Sequence, residues 1–158
     1  MKLTDTNDIR GRLTIQQYDR NDRLIHTVTA NNSILKTGRT IIANLFIGGS
    51  GFNPISHVGV GRGTKPVKVT DEGLEIAYGD LISIEPIKST GMVWHTSEGI
   101  ERLSVTIAAN LQTNQCNDID ITEAGLFNQD NIMYNRVVFP PIHKTVDFKL
   151  TLIWEIMF

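Results

Sequence analysis

The chain has 158 residues, the length of one ordinary domain, so we expect residues 1–158 to form a single domain. Hydrophobic residues make up 41% of the sequence and charged residues 20%, a balance that indicates a folded domain and excludes a disordered chain. A net charge of −2 gives no electrostatic reason to expect nucleic acid as a partner. The single cysteine, Cys116, excludes an internal disulfide and any zinc site built from several cysteines.

The sequence also bears on membranes and export. No run approaches about 18 consecutive apolar residues, so we expect no insertion into a membrane. Residues 1–12 lack the apolar core of a signal peptide. We therefore expect a protein that is made in the cytoplasm and leaves it only as part of something larger.

The first predicted element is a hairpin over residues 11–34. Its two β-rich runs are joined by the sequence DRND at residues 19–22. The Asp and Asn side chains of that sequence favour a tight reversal, because they hydrogen-bond to nearby backbone groups.

A helix is predicted next, over about residues 38–47. Its apolar side chains recur at spacings of three and four, namely Ile41, Ile42, Leu45 and Phe46. Thr37 or Thr40 could cap its start, and Gly48 and Gly49 are placed to end it. It is the best helical pattern in the sequence.

Strands dominate the rest of the chain. The sequence at residues 55–61 is a predicted strand, and residues 81–90 predict a strand near a sheet edge because Pro86 cannot donate to a ladder. Residues 92–112 predict a hairpin that turns near the sequence SEG. Residues 118–139 predict two strands around the turn sequence NQDN.

The last segment alternates without a break. Because side chains alternate faces along a strand, seven apolar residues are expected to point into one core: Val146, Phe148, Leu150, Leu152, Trp154, Ile156 and Phe158. Burying even five of them is worth on the order of 10 kcal/mol before the entropy cost is subtracted. The pattern therefore predicts a core strand at the end of the sequence.

Taken together, the elements predict a mainly β fold. Many short strands, frequent turns and one short α-helix at about residues 38–47 are typical of an antiparallel β-sandwich that carries a helix. The alternation of strands and helices that marks a parallel sheet does not occur in the sequence.

One glycine-rich stretch, HVGVGRGTKP at residues 57–66, invites a test for phosphate binding. Its glycines do not have the spacing of a dinucleotide fingerprint, and Pro66 argues against the helix that must follow one. The stretch also lacks the Gly-Lys-Ser/Thr of a P-loop. We expect instead that Gly59 and Gly61 lie in a strand that another element approaches closely, and that Gly63 permits the turn that follows.

Other candidate chemical groups are few. The four histidines lie in four different segments with no pair at metal-ligand spacing: His26, His57, His95 and His143. Asp118 and Asp120 could act as paired carboxylates or lie as solvated residues beside a turn. Glu123 and Arg136 lie on adjacent predicted strands, where a structural ion pair is favoured over a catalytic role. We therefore expect no catalytic residue, no cofactor and no metal site, and a protein that is not an enzyme.

The C-terminal third carries the motif ITEAGLF, then R-x-x-F-x-P-I-x-K, and a final Trp-Glu pair. This order resembles the closing signature of a family of tailed-bacteriophage virion proteins found at tails, baseplates and fibres. The matching positions are Ile121, Thr122, Glu123, Ala124, Gly125, Leu126, Phe127, Arg136, Phe139, Pro141, Ile142, Lys144, Trp154 and Glu155. Residues 19–49 and 55–75 are similar to earlier parts of the same family pattern. Phage-derived injection systems use related parts.

The resemblance implies a structural component of a phage tail, at the baseplate or at the attachment of a tail fibre. It implies a homo-oligomer that binds other tail proteins, lies in the virion and needs neither a cofactor nor nucleic acid. In physical terms, Ala124 and Gly125 allow close packing, Leu126 and Phe127 help to fill the core, and residues 140–141 stiffen the approach to the last strand.

The sequence also allows two other functions. The chain could be a host receptor-binding or carbohydrate-binding module that contacts the host surface, for which Trp94 with His95 is the candidate pair. It could also be a neck or head decoration protein. Trp94 is otherwise expected in the core or in an interface, and Arg62 and Lys65 are further candidates for contact with a neighbouring subunit.

Overall fold

A computed structural model describes residues 9–49, 52–85 and 91–158. In this part of the chain it has nine strands and one helix. In chain order these are β1 (Arg10–Asp19), β2 (Leu24–Ile34), α1 (Lys36–Ile47), β3 (Ile55–Gly61), β4 (Ala77–Ser83), β5 (Met92–Ser97), β6 (Ile100–Leu111), β7 (Ile119–Asn128), β8 (Met133–Lys144) and β9 (Phe148–Met157).

All nine strands belong to one antiparallel sheet with the order β4-β3-β7-β8-β2-β1-β9-β6-β5, curled into a half-barrel. β2 and β8 are joined over only two residue pairs, at Ser33 and Ile34. After β4, the backbone N–H of Glu85 donates to the carbonyl of Ala108 in β6 at 2.8 Å, which brings one edge of the sheet toward the other. The mainly β class, the antiparallel pairing and the helix are confirmed, whereas a sandwich of two separate sheets is not.

The main core fills the concave face of the sheet, and β9 contributes to it from its place between β1 and β6. Five of the alternating side chains of the last segment are buried there: Phe148, Leu150, Leu152, Trp154 and Ile156. Val146 and Phe158 are exposed, so the prediction that all seven point into the core was wrong at both ends. The strand begins after the turn that holds Val146 and ends before Phe158, and the alternation therefore extends beyond the paired backbone.

The predicted hairpins are confirmed. The first turns over residues 20–23, where the carboxylate of Asp19 accepts from the backbone N–H of Asn21 at 2.8 Å. In the second, Glu98 and Gly99 have φ values of 52° and 76°, the left-handed conformation that two-residue hairpin turns require. Of the edge strand predicted over residues 81–90, only residues 81–83 are in a strand, β4, which begins earlier than predicted and is an outer strand of the sheet. Residues 84–85 follow the strand, and residues 86–90 with Pro86 lie outside the described residues.

Helix α1 begins two residues earlier than predicted, and neither threonine caps it. Its N-cap is Leu35, whose side chain cannot accept a hydrogen bond. The hydroxyl of Thr37 instead donates to the carbonyl of Met133 in β8 at 2.6 Å, which ties the helix to the sheet. The predicted end is confirmed: Gly48 is left-handed with a φ of 65°, and Gly49 N–H donates to the carbonyl of Asn44.

The apolar side of α1 is only partly covered. Ile41 is buried in the main core. Leu45 and Ile47 are exposed, and the side chain of Phe46 is 88% exposed. The helical spacing therefore identified the helix correctly, but only its first turns pack against the sheet. Within the described residues, no helix is long and apolar enough to cross a membrane.

Pro140 and Pro141 lie inside β8 and do not form the connection before β9. The pairing of β7 with β8 shifts register at this place, between Ile121 and Glu123, so that extra residues of β8 oppose Thr122. A bulge of this kind accommodates residues that lack a backbone N–H. The two prolines therefore bend a core strand, and the expectation that they stiffen the approach to the last strand is corrected.

Candidate functional site

The best-defined polar site lies where β3, β7 and β8 run side by side. Glu123 of β7 and Arg136 of β8 project from the same face of the sheet. The Nε atom of Arg136 donates to Oε2 of Glu123 at 2.8 Å, and their side chains are 3% and 0% exposed, respectively. The ion pair expected from the sequence is therefore present, and it is buried.

The carboxylate of Glu123 also holds the loop of residues 62–76, which we call the 62–76 loop. Its Oε1 accepts from the backbone N–H groups of Gly63 and Ile76, each at 2.8 Å. Its Oε2 accepts from the N–H of Glu75 at 3.0 Å. The neighbouring hydroxyl of Thr122 donates to the carbonyl of Gly63 at 2.8 Å. A strand side chain thus ties both ends of the loop to the sheet.

The glycines of residues 57–66 are explained by this packing. An added Cβ at Gly61 would lie 2.5 Å from the carbonyl oxygen of Ile76 and 2.6 Å from Oε1 of Glu123. At Gly63 it would lie 2.5 Å from the same carboxylate oxygen. The close approach predicted for Gly61 is therefore observed, as it is for Gly59, where an added Cβ would lie 2.8 Å from a side chain of β7. Gly63 was predicted only to permit a turn, and the anion beside the glycine-rich stretch is the protein's own carboxylate.

A second layer of charges surrounds Arg136. Its Nη1 lies 3.0 Å from Oδ2 of Asp71, and its Nη2 lies 3.7 Å from Oε2 of Glu75. Glu75 also pairs with Nζ of Lys65 at 2.8 Å and accepts from the backbone N–H groups of Thr64 and Lys65 at 2.9 Å. The cluster links the start, middle and end of the 62–76 loop to one buried guanidinium.

The electrostatics of this cluster favour the ionised carboxylates. The hydrogen bond from the Lys65 side chain, with the backbone N–H groups beside it, lowers the pKa of Glu75 to about 2. Burial acts to raise the pKa of Asp71, but hydrogen bonds from the Lys68 backbone and from Arg136 outweigh it and hold that pKa below its ordinary value. Both groups therefore stay charged at neutral pH and keep the loop closed.

This arrangement suits a structural role. Glu123 accepts four hydrogen bonds and is fully buried, so its carboxylate is closed to a substrate in this conformation. Under the loop, a small second apolar cluster of Leu35, Phe127 and Met133 packs against Leu74. The 62–76 loop covers this cluster, and the carboxylate of Glu123 holds the backbone of the loop in place. Sequence reasoning missed the acids of the loop, because nothing in the local pattern links them to Arg136.

Lys144 at the end of β8 is a second buried charge. Its side chain is 0% exposed, and its Nζ donates to Oδ1 of Asn117 at 2.9 Å and to the carbonyl of Thr145 at 2.8 Å. Burial lowers its pKa, an effect that the nearby Cys116 opposes. Among the described residues no carboxylate lies within ion-pair distance of the amine, which instead pins the turn before β7 through neutral oxygens.

The remaining polar candidates do not gather into one site. Nδ1 of His143 lies 2.8 Å from Oδ1 of Asp120, and both side chains are well exposed. Asp118 lies in a turn with a φ of 59°. His57 hydrogen-bonds to its neighbour Ser56. In residues 9–49, 52–85 and 91–158 no group of three His, Cys, Asp or Glu side chains could hold a metal ion.

The three interface candidates have different surroundings. Arg62 lies over the ring of Tyr78, with Cζ 5.5 Å from the ring centre. Lys65 is largely exposed but its amine is held by Glu75. Trp94 is 67% exposed on β5, which excludes the core alternative for this residue. Because neighbours in a strand point to opposite faces, Trp94 and His95 do not form one site.

The positions of the C-terminal motif mostly build the fold. Residues 121–127 are all buried in β7, as are Arg136 and Phe139 in β8 and Trp154 in β9. Pro141 is exposed beside the bulge, and Glu155 binds Arg12 on the outer face of the sheet.

Comparisons of the chain with family models, with curated proteins and with solved structures found no match.

Proposed function

We propose that this chain is a non-enzymatic structural subunit of a phage tail, at the baseplate or the fibre attachment, and that it works by assembling as a homo-oligomer. The open edge of the sheet at β5 supports the proposed assembly. The C-terminal motif supports the proposal that this assembly belongs to a virion. The remaining contacts of such a subunit are made with other tail proteins.

β5 has the features of an edge that another strand can join. Among the strands that the structure describes, β5 pairs with β6 alone. Its sequence MVWHTS contains no proline, lysine or acidic residue, which are the residues that commonly protect a free edge. All six residues are exposed, and Met92, Val93 and Trp94 are large apolar side chains with exposed fractions of 55%, 43% and 67%.

The partner that fits this edge is a second copy of the chain. Two β5 strands related by a two-fold axis can pair antiparallel, so that each satisfies the free backbone groups of the other and covers the other's Trp94. The opposite edge of the sheet, at β4, is less available to a second copy, because the chain after β4 already contacts β6. The short junction between β2 and β8 divides the sheet into two parts, one with β4, β3, β7 and β8 and one with β2, β1, β9, β6 and β5. In such an assembly these two parts would serve as the two layers of the predicted sandwich.

The test begins with light scattering on the purified protein and on the variant Trp94→Lys. We expect an oligomer for the wild type and a folded monomer for the variant, because a charged side chain on the edge opposes strand pairing. The matched control is Val146→Lys, which places the same charge at another exposed apolar residue and should leave the oligomer intact. A monomeric wild type would refute the assembly.

Virion proteomics tests the location separately. Peptides of this chain should be found in purified phage particles, together with tail proteins. If the protein forms an oligomer in solution but is absent from particles, the assembly stands and the tail assignment falls. A protein found with neck or head components would move the assignment there.

The exposure of Trp94 also favours a second candidate, a module that binds host carbohydrate. An exposed indole is a common platform for a sugar ring. A glycan array with the wild type and Trp94→Ala distinguishes the two proposals. Loss of glycan binding with the oligomer retained would support the carbohydrate module, and loss of the oligomer without any glycan signal would support the assembly.

A further inference from the structure

A cleft of about 850 Å³ lies at one end of the sheet, where β1 and β6 begin and where β2, β5 and β9 end. Arg39 of α1 and Val69 of the 62–76 loop add to its wall. The volume is in the range of small-molecule sites in proteins. This cleft is separate from the buried Glu123 cluster and from the exposed ring of Trp94, neither of which lines it.

The described residues that line the cleft are strongly biased toward arginine. Four of the eight arginines in the sequence line it, on three strands or helices that are distant in the chain: Arg10, Arg12, Arg39 and Arg102. His95 lies beside Arg102 across the β5–β6 pair. The chain as a whole carries a net charge of −2, so this concentration of cations does not follow from composition.

The acidic residues in the described part of the chain do not pair with most of these arginines. Among the described residues that line the cleft, Glu155 is the one acid, and its Oε2 pairs with Nη2 of Arg12 at 2.6 Å. Arg10, Arg39 and Arg102 have no ion pair with any residue in the described part of the chain. Within the described residues the cleft therefore has three arginines without an ion-pair partner, and arginine is positively charged at neutral pH.

The use of arginine as the cation limits the chemical classes of ligand that fit the cleft. No lysine lines the cleft among the described residues, and arginine presents a planar fork of donors that matches phosphate and carboxylate oxygens. The acidic net charge of the chain argues against a long nucleic-acid partner, which needs an extended basic surface. We propose that this cleft binds a small ligand, or the end of a larger one, through a phosphate or carboxylate group. The proposal does not rest on the tail assignment.

The arrangement of strands gives the ligand several points of contact. β1, β9, β6 and β5 are consecutive in the sheet, so Arg12, Arg102 and His95 lie along one direction across it. Arg39 reaches the cleft from the helix, beyond β2. An oxyanion in the cleft is thus approached from the sheet and from the helix, which favours a bound group over a diffuse ion atmosphere.

The test measures binding of two probes by calorimetry and by NMR at low salt, about 50 mM NaCl, where screening is weak. Tripolyphosphate represents phosphate groups, and trigalacturonate represents the carboxylates of an acidic sugar. We expect at least one of them to bind, with shifts of the backbone amides around Arg10 and Arg102. Binding of one probe identifies the preferred group, and equal binding of both indicates an oxyanion site without selectivity. No binding of either probe would overturn the proposal.

Variants locate the site. The double variant Arg39→Gln/Arg102→Gln removes two cleft charges, one on the helix and one on the sheet. It should weaken binding by about tenfold or more, because each substitution loses a charge-assisted hydrogen bond. Arg20→Gln/Arg23→Gln removes the same net charge at the distant β1–β2 turn and should change binding by less than about twofold. Equal losses in both variants would show attraction by overall charge and would overturn the cleft as the site. Thermal unfolding of both variants checks that each is folded.

Discussion

Glu123 and Arg136 lie diagonally across the β7–β8 pair, with 2.8 Å between Oε2 and Nε. The same carboxylate accepts three backbone hydrogen bonds from the 62–76 loop. One buried side chain therefore joins the sheet to the segment that covers its outer face. A buried pair of this kind is costly to break, because the remaining partner stays desolvated and uncompensated.

The first prediction concerns that pair. Glu123→Gln keeps the shape of the side chain but removes its charge and turns an amide toward groups that donate. We expect a loss of about 3–5 kcal/mol in the free energy of unfolding, measured by urea denaturation. Glu155→Gln, at the exposed pair with Arg12, is the matched control and should cost no more than about 1 kcal/mol. Similar small losses in both variants would contradict the role of Glu123.

A double-mutant cycle separates the pair from the loop. Arg136→Met alone leaves Glu123 buried without its cation, whereas Arg136→Met together with Glu123→Gln removes both charges. We expect the double variant to be more stable than the sum of the two single losses predicts, with an interaction energy of about 1–3 kcal/mol from the same urea curves. Strict additivity would show that the two side chains do not act on each other.

The glycines give a steric prediction. Gly61→Ala places a Cβ 2.5 Å from the backbone oxygen of Ile76, which cannot move without shifting the loop. We expect a loss of about 1–3 kcal/mol in the free energy of unfolding. Gly73→Ala is the control within the same loop, since nothing lies within 4 Å of the added Cβ, and it should stay within about 1 kcal/mol of the wild type. A harmless Gly61→Ala would disprove the close approach.

Acid should release the outer layer of the loop. The pKa of Glu75 is lowered to about 2 in the folded protein from an ordinary value of 4.5. A lowered carboxyl pKa adds stability that is complete above 4.5 and is lost as the pH falls toward 2. The backbone amides of Thr64 and Lys65, which donate to Glu75, should therefore shift in NMR spectra with a midpoint near 2, and Glu75→Gln should remove this transition. A midpoint near 4.5 would show that these hydrogen bonds are absent in solution.

Lys144 predicts a change at alkaline pH. Burial holds its pKa below the ordinary value of 10.5, so the folded protein gives up this proton before the unfolded chain does. The cost of burying the charged amine applies below the folded pKa and is relieved as the pH rises toward 10.5. The free energy of unfolding of the wild type should therefore rise relative to that of Lys144→Met as the pH increases toward 10.5. A difference that is constant with pH would contradict the lowered pKa.

Much of the fold was predictable because its signals are local. The alternation in the last segment identified β9, and the turn sequences placed the hairpins, since both depend on residues close in the chain. Glu123 and Arg136 could be paired from the sequence for the same reason: a short turn joins their strands, which fixes them as neighbours. Local patterns failed at the ends of elements, where Val146, Phe158 and Phe46 fit the period but are exposed.

The sequence by itself thus determined the class of the fold, the hairpins, the helix and one ion pair, because each follows from periodicity or from a short connection. Only the tertiary structure decided that the nine strands form one curled sheet. The contact between Gly63 and Glu123 spans 60 residues in the sequence. The arginines that line the cleft at the end of the sheet lie between residues 10 and 102. Such contacts depend on the register and curvature of the whole sheet, which are set by the burial of the complete core and by no single segment.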